Sequence, residues 1–423
     1  MTDRNSIIGK VDWPLLLMYF ALVIIGWLSI YSAGMSEGHH AIYDMSHFCG
    51  KQMMWIGISL GFGFGVLLLD AKVFDAFAYW FYAIVVFLLI VVLAYGKVTK
   101  GATSWIDFGG GIKFQPSEFA KMGTALALAS FLGRQDADLN NRKTRLPAYA
   151  IILLPAALVL LQHDAGSAIV FTSFIFVLYR EGMPGAGAIM LLAAGAVTVF
   201  VLTLIWSKMV MCIVIGSLFV LTLAYYLIYK KRHLWRMVAV YAFFFAFVFC
   251  VDFAFYKVLE DHQRIRIEVL LGLKDDPKGA GYNLHQSQIA IGSGGLWGKG
   301  FLQGTQTKYD FVPEQHTDFI FCTIGEEGGF KGTFVLVLLY VGMLVRIIKM
   351  AERQKLAFSR IYGYSIAGIL FVHVAINIGM TIGLVPVIGI PLPFLSYGGS
   401  SLLAFTIMLA IFVKQDANRL NIL

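Results

Sequence analysis

The chain has 423 residues, 59% of them hydrophobic and 15% aromatic, with only 14% charged. A soluble domain carries about 25% charged residues, so this composition excludes a soluble globular enzyme and describes an integral membrane protein with no nucleic-acid partner. The formal charge of +8 says less than where the charges sit. Cys49, Cys212, Cys250 and Cys322 show neither CxxC nor Cys/His zinc spacing. Cys212 and Cys250 lie in apolar blocks, whereas a Cys49–Cys322 bridge stays open if both face outward.

Apolar runs approaching the roughly 20 residues that cross a bilayer occur at 14–34, 52–69, 74–95, 116–132, 147–162, 166–180, 186–206, 209–229, 235–256, 333–349, 361–384 and 398–414. The first imitates a signal peptide, but it is too long for an h-region and lacks an A-x-A site, so it is expected to stay. Twelve spans put both termini on one side. Short loops carrying Arg134, Arg142, Lys143 and Arg145, then Lys230, Lys231, Arg232 and Arg236, then Lys349, Arg353, Lys355 and Arg360 make that side cytoplasmic. Loops 35–51, 96–115, 163–165, 257–332 and 385–397 then face outward. The expected fold class is an all-α polytopic membrane protein of about 10–12 helices, one domain over 1–423. Its large extracytoplasmic loop, 257–332, carries short helices.

In FQPSEFAKM, Pro116 and Glu118 are helix-start residues. Glu118 and Lys121 lie one turn apart near the outer interface, and a structural ion pair and a ligand contact stand equally open. Asp164, in LLQHDAGSAIV, reads best as the cap of the helix that follows.

The outer loop holds Lys257, Arg264, Arg266, Lys274, Lys278, Lys299 and Lys308, offset by seven acids between Glu260 and Glu314. A solvated loop and a cation cluster for an anionic ligand both fit. Asp276, in DDPKGAGY, is first a turn residue; beside Asp275 it also has a neighbour able to raise its pKa towards that of a general base. The glycines of IGSGGLWGKGFLQGTQ form neither a P-loop nor a GxGxxG turn, and are expected to let backbone approach a polar head group. Residues 316–349 would make a helix of roughly 50 Å, too long for one span. Gly325, Gly328, Gly329 and Gly332 argue for a break, with a short helix over Thr317–Ile324, where Asp318 complements the dipole, and a span from about Thr333. Pro386, Pro391 and Pro393 mark an outer re-entrant turn beside a cavity, because non-helical backbone at membrane depth must be buried or line one.

Together, GATSWIDFGGGIKFQPSEFAK (101–121), QHDAGS (162–167), QRIRI (263–267), DPKGAGYNLHQSQIAIGSGGLWGKG (276–300), GTQ (304–306), PEQHTDFIF (313–321) and GIPLPFLSYGGSS (389–401) resemble the SEDS family (shape, elongation, division and sporulation). The resemblance covers nearly the whole chain and tilts to the elongation, RodA-like branch rather than the division branch.

It implies a peptidoglycan glycosyltransferase of the bacterial cytoplasmic membrane, polymerising lipid II on the outer face and releasing undecaprenyl diphosphate during cell elongation. A class B penicillin-binding protein and the elongation machinery are the implied partners. Asp276 maps onto the family's essential aspartate, implying a base for an inverting attack of the acceptor hydroxyl on the anomeric carbon. Arg264, Arg266 and Lys121 are implied to hold the diphosphate, with room for a divalent cation (magnesium or manganese) and no nucleotide. Trp105, Glu118, Lys121 and His316 match positions that line or support the cavity, and Asp318 and Ser396 complete the substrate set. The chain departs from the family at QHDAGS, at GEEGGF and in an extra helix pair within 186–256. The rival readings are a flippase for the same lipid and a non-catalytic scaffold for the penicillin-binding protein.

Overall fold

The structure, a computed structural model, describes residues 11–34, 43–45, 47–99, 102–107, 113–205, 208–229, 234–259, 261–274, 281–309 and 311–419. Two compact units appear, one formed by 1–184 with 283–423, the other by 185–282.

The first unit opens with α1 (Trp13–Ala33), whose N-terminus is closed by Asp12 accepting from the Leu15 N–H at 3.3 Å. α2 (Phe48–Leu68), the short α3 (Ala71–Ala76) and α4 (Ala78–Tyr95) follow. The loop after α4 forms a small antiparallel sheet of β1 (Lys97–Thr99), β2 (Ala102–Asp107) and β3 (Lys113–Phe114). α5 (Pro116–Leu132) and α6 (Arg142–Leu161) come next. Residues 165–180 then run as α7 (Ala165–Val170), a 3-10 turn and α8 (Phe174–Arg180). The second unit contains α9 (Ala186–Ile205), α10 (Lys208–Tyr229), α11 (Leu234–Phe253) and α12 (Asp261–Leu270). Its apolar core gathers Met211, Ile215 and Val248. The chain returns to the first unit through α13 (Tyr282–Ser293), α14 (Thr305–Lys308), α15 (Ile320–Glu352), α16 (Ala357–Ile382) and α17 (Gly399–Ala417).

Ten described helices are long and apolar enough to cross a membrane, so the protein is a multi-pass membrane protein. The other two expected spans are present as shorter helices: α5 has 17 residues, and 165–180 is interrupted by its 3-10 turn. Side chains such as Phe62, Phe64, Leu68 and Phe87 are exposed, as lipid-facing residues should be. α5, α16 and α17 are the enclosed helices, with most of their residues buried, whereas few of those in α9 are. The Cys49–Cys322 bridge that the sequence left open does not form: all four cysteines are free, and Cys49 and Cys322 are buried.

One end of the first unit is tied by a charged network. Arg346 donates to both oxygens of Asp12 (2.9 and 2.7 Å). Arg353 bridges Asp12 (2.9 Å) and Asp416 (2.8 and 2.5 Å), while Gln354 and Arg419 each donate to Asp416 at 2.8 Å. The N-terminus of α1 and the C-terminal ends of α15 and α17 thus share bidentate contacts, the strong kind. Burial alone would raise the Asp12 carboxyl, but the hydrogen bonds from Arg346, Arg353 and Leu15 outweigh it and hold its pKa below the ordinary 3.8. A depressed carboxyl contributes stability above the unfolded value and loses it as pH falls through the folded one. Thermal unfolding in detergent should therefore show the Asp12 contribution intact above pH 3.8 and lost only below it. Asp416→Ala removes charge-assisted bonds and should cost about 1–3 kcal/mol at neutral pH.

Candidate functional site

After α16, Gly383 takes a left-handed conformation (φ 84°) and ends the helix. The chain from 384 to 398 is then irregular and proline-rich, so its carbonyls need partners other than a helix ladder. Asn377 Nδ2 donates to Ile390 O at 2.7 Å, and His373 Nδ1 lies 3.2 Å from Pro391 O. Leu392 O accepts from the amides of Leu395 and Ser396, and Tyr340 Oη donates to Pro393 O at 2.5 Å. Every carbonyl from 390 to 393 is thereby satisfied. His373 and Asn377 are four residues apart on α16, one above the other on one face. Phe394 adopts a positive φ of 68°, a strained value for an aromatic residue. It sits edge-on to Tyr19 (5.2 Å) and Phe405 (5.8 Å), which pin it.

The re-entrant segment grips the loop before α15. Ser396 Oγ donates to Thr317 O at 2.6 Å and accepts from the Leu392 amide at 2.8 Å, while the Tyr397 amide donates to His316 O at 2.8 Å. Asn377 also donates to Asp318 O at 2.8 Å. A Cβ on Gly389 would lie 3.4 Å from Asp318 Oδ2, so this turn passes directly over the carboxylate. His316 stacks on Phe48 at 3.9 Å. His316, Asp318 and Ser396, distant from one another in sequence, therefore belong to one assembly.

Glu118 and Lys121 form the ion pair that their spacing allowed, Nζ to Oε1 at 2.8 Å, with Lys121 wholly inaccessible and Glu118 2% exposed. A second 2.8 Å contact joins Lys121 Nζ to His373 Nε2, and the Phe405 ring centroid lies 5.4 Å from the ammonium. The ammonium is thus occupied on every side within the protein, in the structural-pair arrangement, and it does not open onto solvent. His373 was not anticipated: a lone histidine in an apolar helix reads as core, although the His-x-x-x-Asn spacing ahead of a proline-rich segment was a usable signal. Asp164 caps α7 by accepting from the Ser167 amide at 2.9 Å, as its position indicated, and also accepts from Gln115 Nε2 at 3.0 Å. Trp105 lies on β2, half-buried, opposite Lys97.

The glycine-rich stretch differs from expectation. A Cβ on Gly294 would fall 2.1 Å from Gly325 O, and one on Gly298 2.0 Å from Glu327 O. The amides of Lys299, Gly300, Phe330 and Lys331 pair with the carbonyls of Glu326, Glu327, Gly295 and Leu296 at 2.9–3.2 Å. Gly294 and Gly298 therefore admit α15 backbone, whereas Gly292 and Gly295 face open space. The break in α15 falls at Gly329 (φ 61°, ψ −161°), so the first helical piece starts at Ile320 rather than Thr317. Glu326, fully buried, accepts from the Gln306 and Thr307 amides (2.8 and 2.9 Å) and from Lys299 Nζ (2.6 Å), so it anchors the GTQ turn. Glu327 accepts from Ser32 Oγ and the Leu302 amide.

Within the second unit, Arg264 pairs along its own helix with Asp261 (3.0 Å) and Glu268 (3.7 Å). Arg266, on the same helix, also has an interaction partner. Asp276 and its neighbour Asp275 lie outside the described residues. Among the described residues no three His, Cys, Asp or Glu side chains come together as metal ligands.

Comparison with known proteins accords with this architecture. The FtsW/RodA/SpoVE family model, described as a cell cycle protein, matches residues 13–217 and 190–420. The two matches overlap at 190–217, inside the segment where the sequence places extra helices. The peptidoglycan glycosyltransferase MrdB of Escherichia coli is 34% identical over 427 residues, covering 99% of this chain and 98% of that protein. The peptidoglycan glycosyltransferase RodA of Treponema pallidum is 32% identical over 440 residues, covering 98% and 99%. Among solved structures, one described as a peptidoglycan synthase complex coordinating polymerization and crosslinking aligns with a TM-score of 0.68 at 26% identity, covering 97% of this chain and 98% of that one. The crystal structure of the rod shape determining protein RodA of Thermus thermophilus aligns with a TM-score of 0.61 at 26% identity, covering 97% of each chain.

Two glycines separate close packing from backbone conformation. Gly295 and Gly298 both have positive φ (54° and 80°), but only Gly298 has backbone in the way of a Cβ. Gly295→Ala should cost about 1–2 kcal/mol in thermal unfolding, the left-handed penalty alone. Gly298→Ala should cost more and make the 294–308 loop sensitive to limited proteolysis.

Proposed function

The chain belongs to the FtsW/RodA/SpoVE family, and from that footing we propose that it is a peptidoglycan glycosyltransferase that extends glycan strands from lipid II. The observation that carries this reading is the gathering, in one unit, of the Glu118–Lys121 pair, His316, Asp318 and Ser396 around an irregular re-entrant segment between membrane helices. An enzyme acting on a lipid-linked sugar needs polar groups held at the membrane surface and apolar surface for the prenyl chain.

In the proposed reaction, Asp276 takes the proton of the acceptor sugar hydroxyl. The oxygen attacks the donor's anomeric carbon, the bond to the diphosphate breaks, and undecaprenyl diphosphate leaves with the electron pair. Configuration inverts because one displacement occurs. Arg264 and Arg266 neutralise the leaving diphosphate. A magnesium or manganese ion would supply further charge neutralisation there, with the Asp276 carboxylate as its oxygen donor. Trp105, His316, Asp318 and Ser396 are assigned to the sugar and peptide portions. Glu118 and Lys121, being enclosed, act by shaping the site.

The distribution of Lys and Arg in short loops supports cytoplasmic termini and an outward-facing site. A partner that crosslinks the strands, a class B penicillin-binding protein, belongs to the same proposal, supported by likeness to a synthase complex.

Purified protein and lipid II should give a ladder of glycan products on a gel. Asp276→Asn should abolish the ladder while the protein stays folded and binds its partner. A ladder unchanged by Asp276→Asn removes that residue from the chemistry. A wild-type protein that moves lipid II between leaflets and makes no polymer, with the partner supplied, replaces the transferase by a flippase.

A further inference from the structure

Among polar side chains outside the assigned substrate set, His373 makes the connections that reach furthest. It is 1% exposed, in the middle of α16, and touches two elements other than its own. Its Nε2 faces an ammonium, which can only donate, so Nε2 must present its lone pair. Its Nδ1 faces the Pro391 carbonyl, which can only accept, so Nδ1 must carry the proton. The two contacts together fix one neutral tautomer. A half-turn of the ring about its axis would put ring C–H groups where Nε2 and Nδ1 now stand and lose both contacts, and the edge-on Phe405 ring (centroids 5.0 Å apart) closes the space on one side.

A second observation gives this arrangement a use. His373 is the link between the enclosed Glu118–Lys121 pair and the re-entrant segment, whose Ser396 holds the Thr317 carbonyl and whose Tyr397 amide holds that of His316.

We propose that His373 is a positioning residue of the transferase site: by bridging Lys121 to the Pro391 carbonyl it fixes the re-entrant segment, and with it Ser396 and the His316–Asp318 loop, relative to α5. The same contact couples α5 to the re-entrant segment, whose other end carries Ser396 and the His316–Asp318 loop. The inference rests on the transferase reading for its substrate, but not for the tautomer and the contact.

The test pairs spectroscopy with kinetics on the full chain in detergent. Nitrogen NMR of protein labelled with 15N-histidine should show one neutral imidazole protonated at Nδ1, absent from His373→Gln and altered by Lys121→Met. With lipid II as substrate, His373→Leu at equal folded fraction should lower kcat by about 10- to 100-fold, the scale of a misplaced group, with KM little changed. His373→Gln, whose amide oxygen can still accept from Lys121, should recover most of that loss. The triple variant Glu118→Gln/Lys121→Met/His373→Leu leaves no buried charge unpaired, and should regain thermal stability without regaining turnover. Turnover restored in the triple variant would overturn the proposal, since charge satisfaction alone would then suffice. So would an imidazole protonated at Nε2, or wild-type kcat in His373→Leu. A wild-type protein without any glycan product would defeat the transferase reading, whereas the NMR signature would still decide the His373 contact.

Discussion

Membrane helices satisfy their own backbone; a proline-rich segment between two of them cannot. The rest of the first unit is arranged around that constraint at residues 390–393. Two of these four residues are prolines and have no amide to donate, yet all four carbonyls need donors at a depth where water is scarce. Asn377, His373 and Tyr340 each commit a side-chain donor, and the Leu392 carbonyl takes two amides from the turn itself. Because those side chains stand on α15 and α16, the segment is located by its neighbours in the bundle rather than by its own propensity.

The consequences spread along the chain. Fixing the segment fixes Ser396, which holds the Thr317 carbonyl, and Tyr397, which holds that of His316. The loop before α15 is in turn continuous with the Gly329 break, where Glu326 and Glu327 tie down the glycine-rich turn and the GTQ motif. His373 extends the same support to Lys121 and Glu118. At the opposite ends of α15 and α17, the Arg353 bridge between Asp12 and Asp416 sets where those helices stop relative to α1. A site assembled from 118, 316, 318 and 396 thus depends on contacts that are almost all long-range.

That distribution explains what the sequence disclosed. Local signals were readable: the apolar runs gave the spans, Pro391 and Pro393 gave the re-entrant turn, the glycines after Glu327 gave the break in α15, and Asp164 gave its cap. Glu118 and Lys121 were readable as a possible pair because they are three apart on one helix. His373 was not, because its partners are 252 and 18 residues away and only Asn377, one turn further on, marks its face as polar. The Asp12–Arg353 pair, 341 residues apart, was invisible for the same reason. Two glycines of IGSGGLWGKG, Gly294 and Gly298, admit backbone instead of the expected head group: a Gly-rich turn shows that something approaches closely, not whether it is a ligand or another stretch of backbone. The small sheet of β1–β3 was missed because its strands are only two to six residues long.

The most direct measurement of the backbone constraint is hydrogen–deuterium exchange of the peptide spanning 385–398, in wild type and in Asn377→Leu. The amides of Leu392, Leu395, Ser396 and Tyr397 are all bonded within the protein, so slow exchange is expected in wild type despite the irregular conformation. Removing the Asn377 donor should raise exchange in this peptide and in the one covering 314–319, while α17 stays protected. Exchange at the rate of an open loop in wild type, or an unchanged pattern in the variant, would contradict the account.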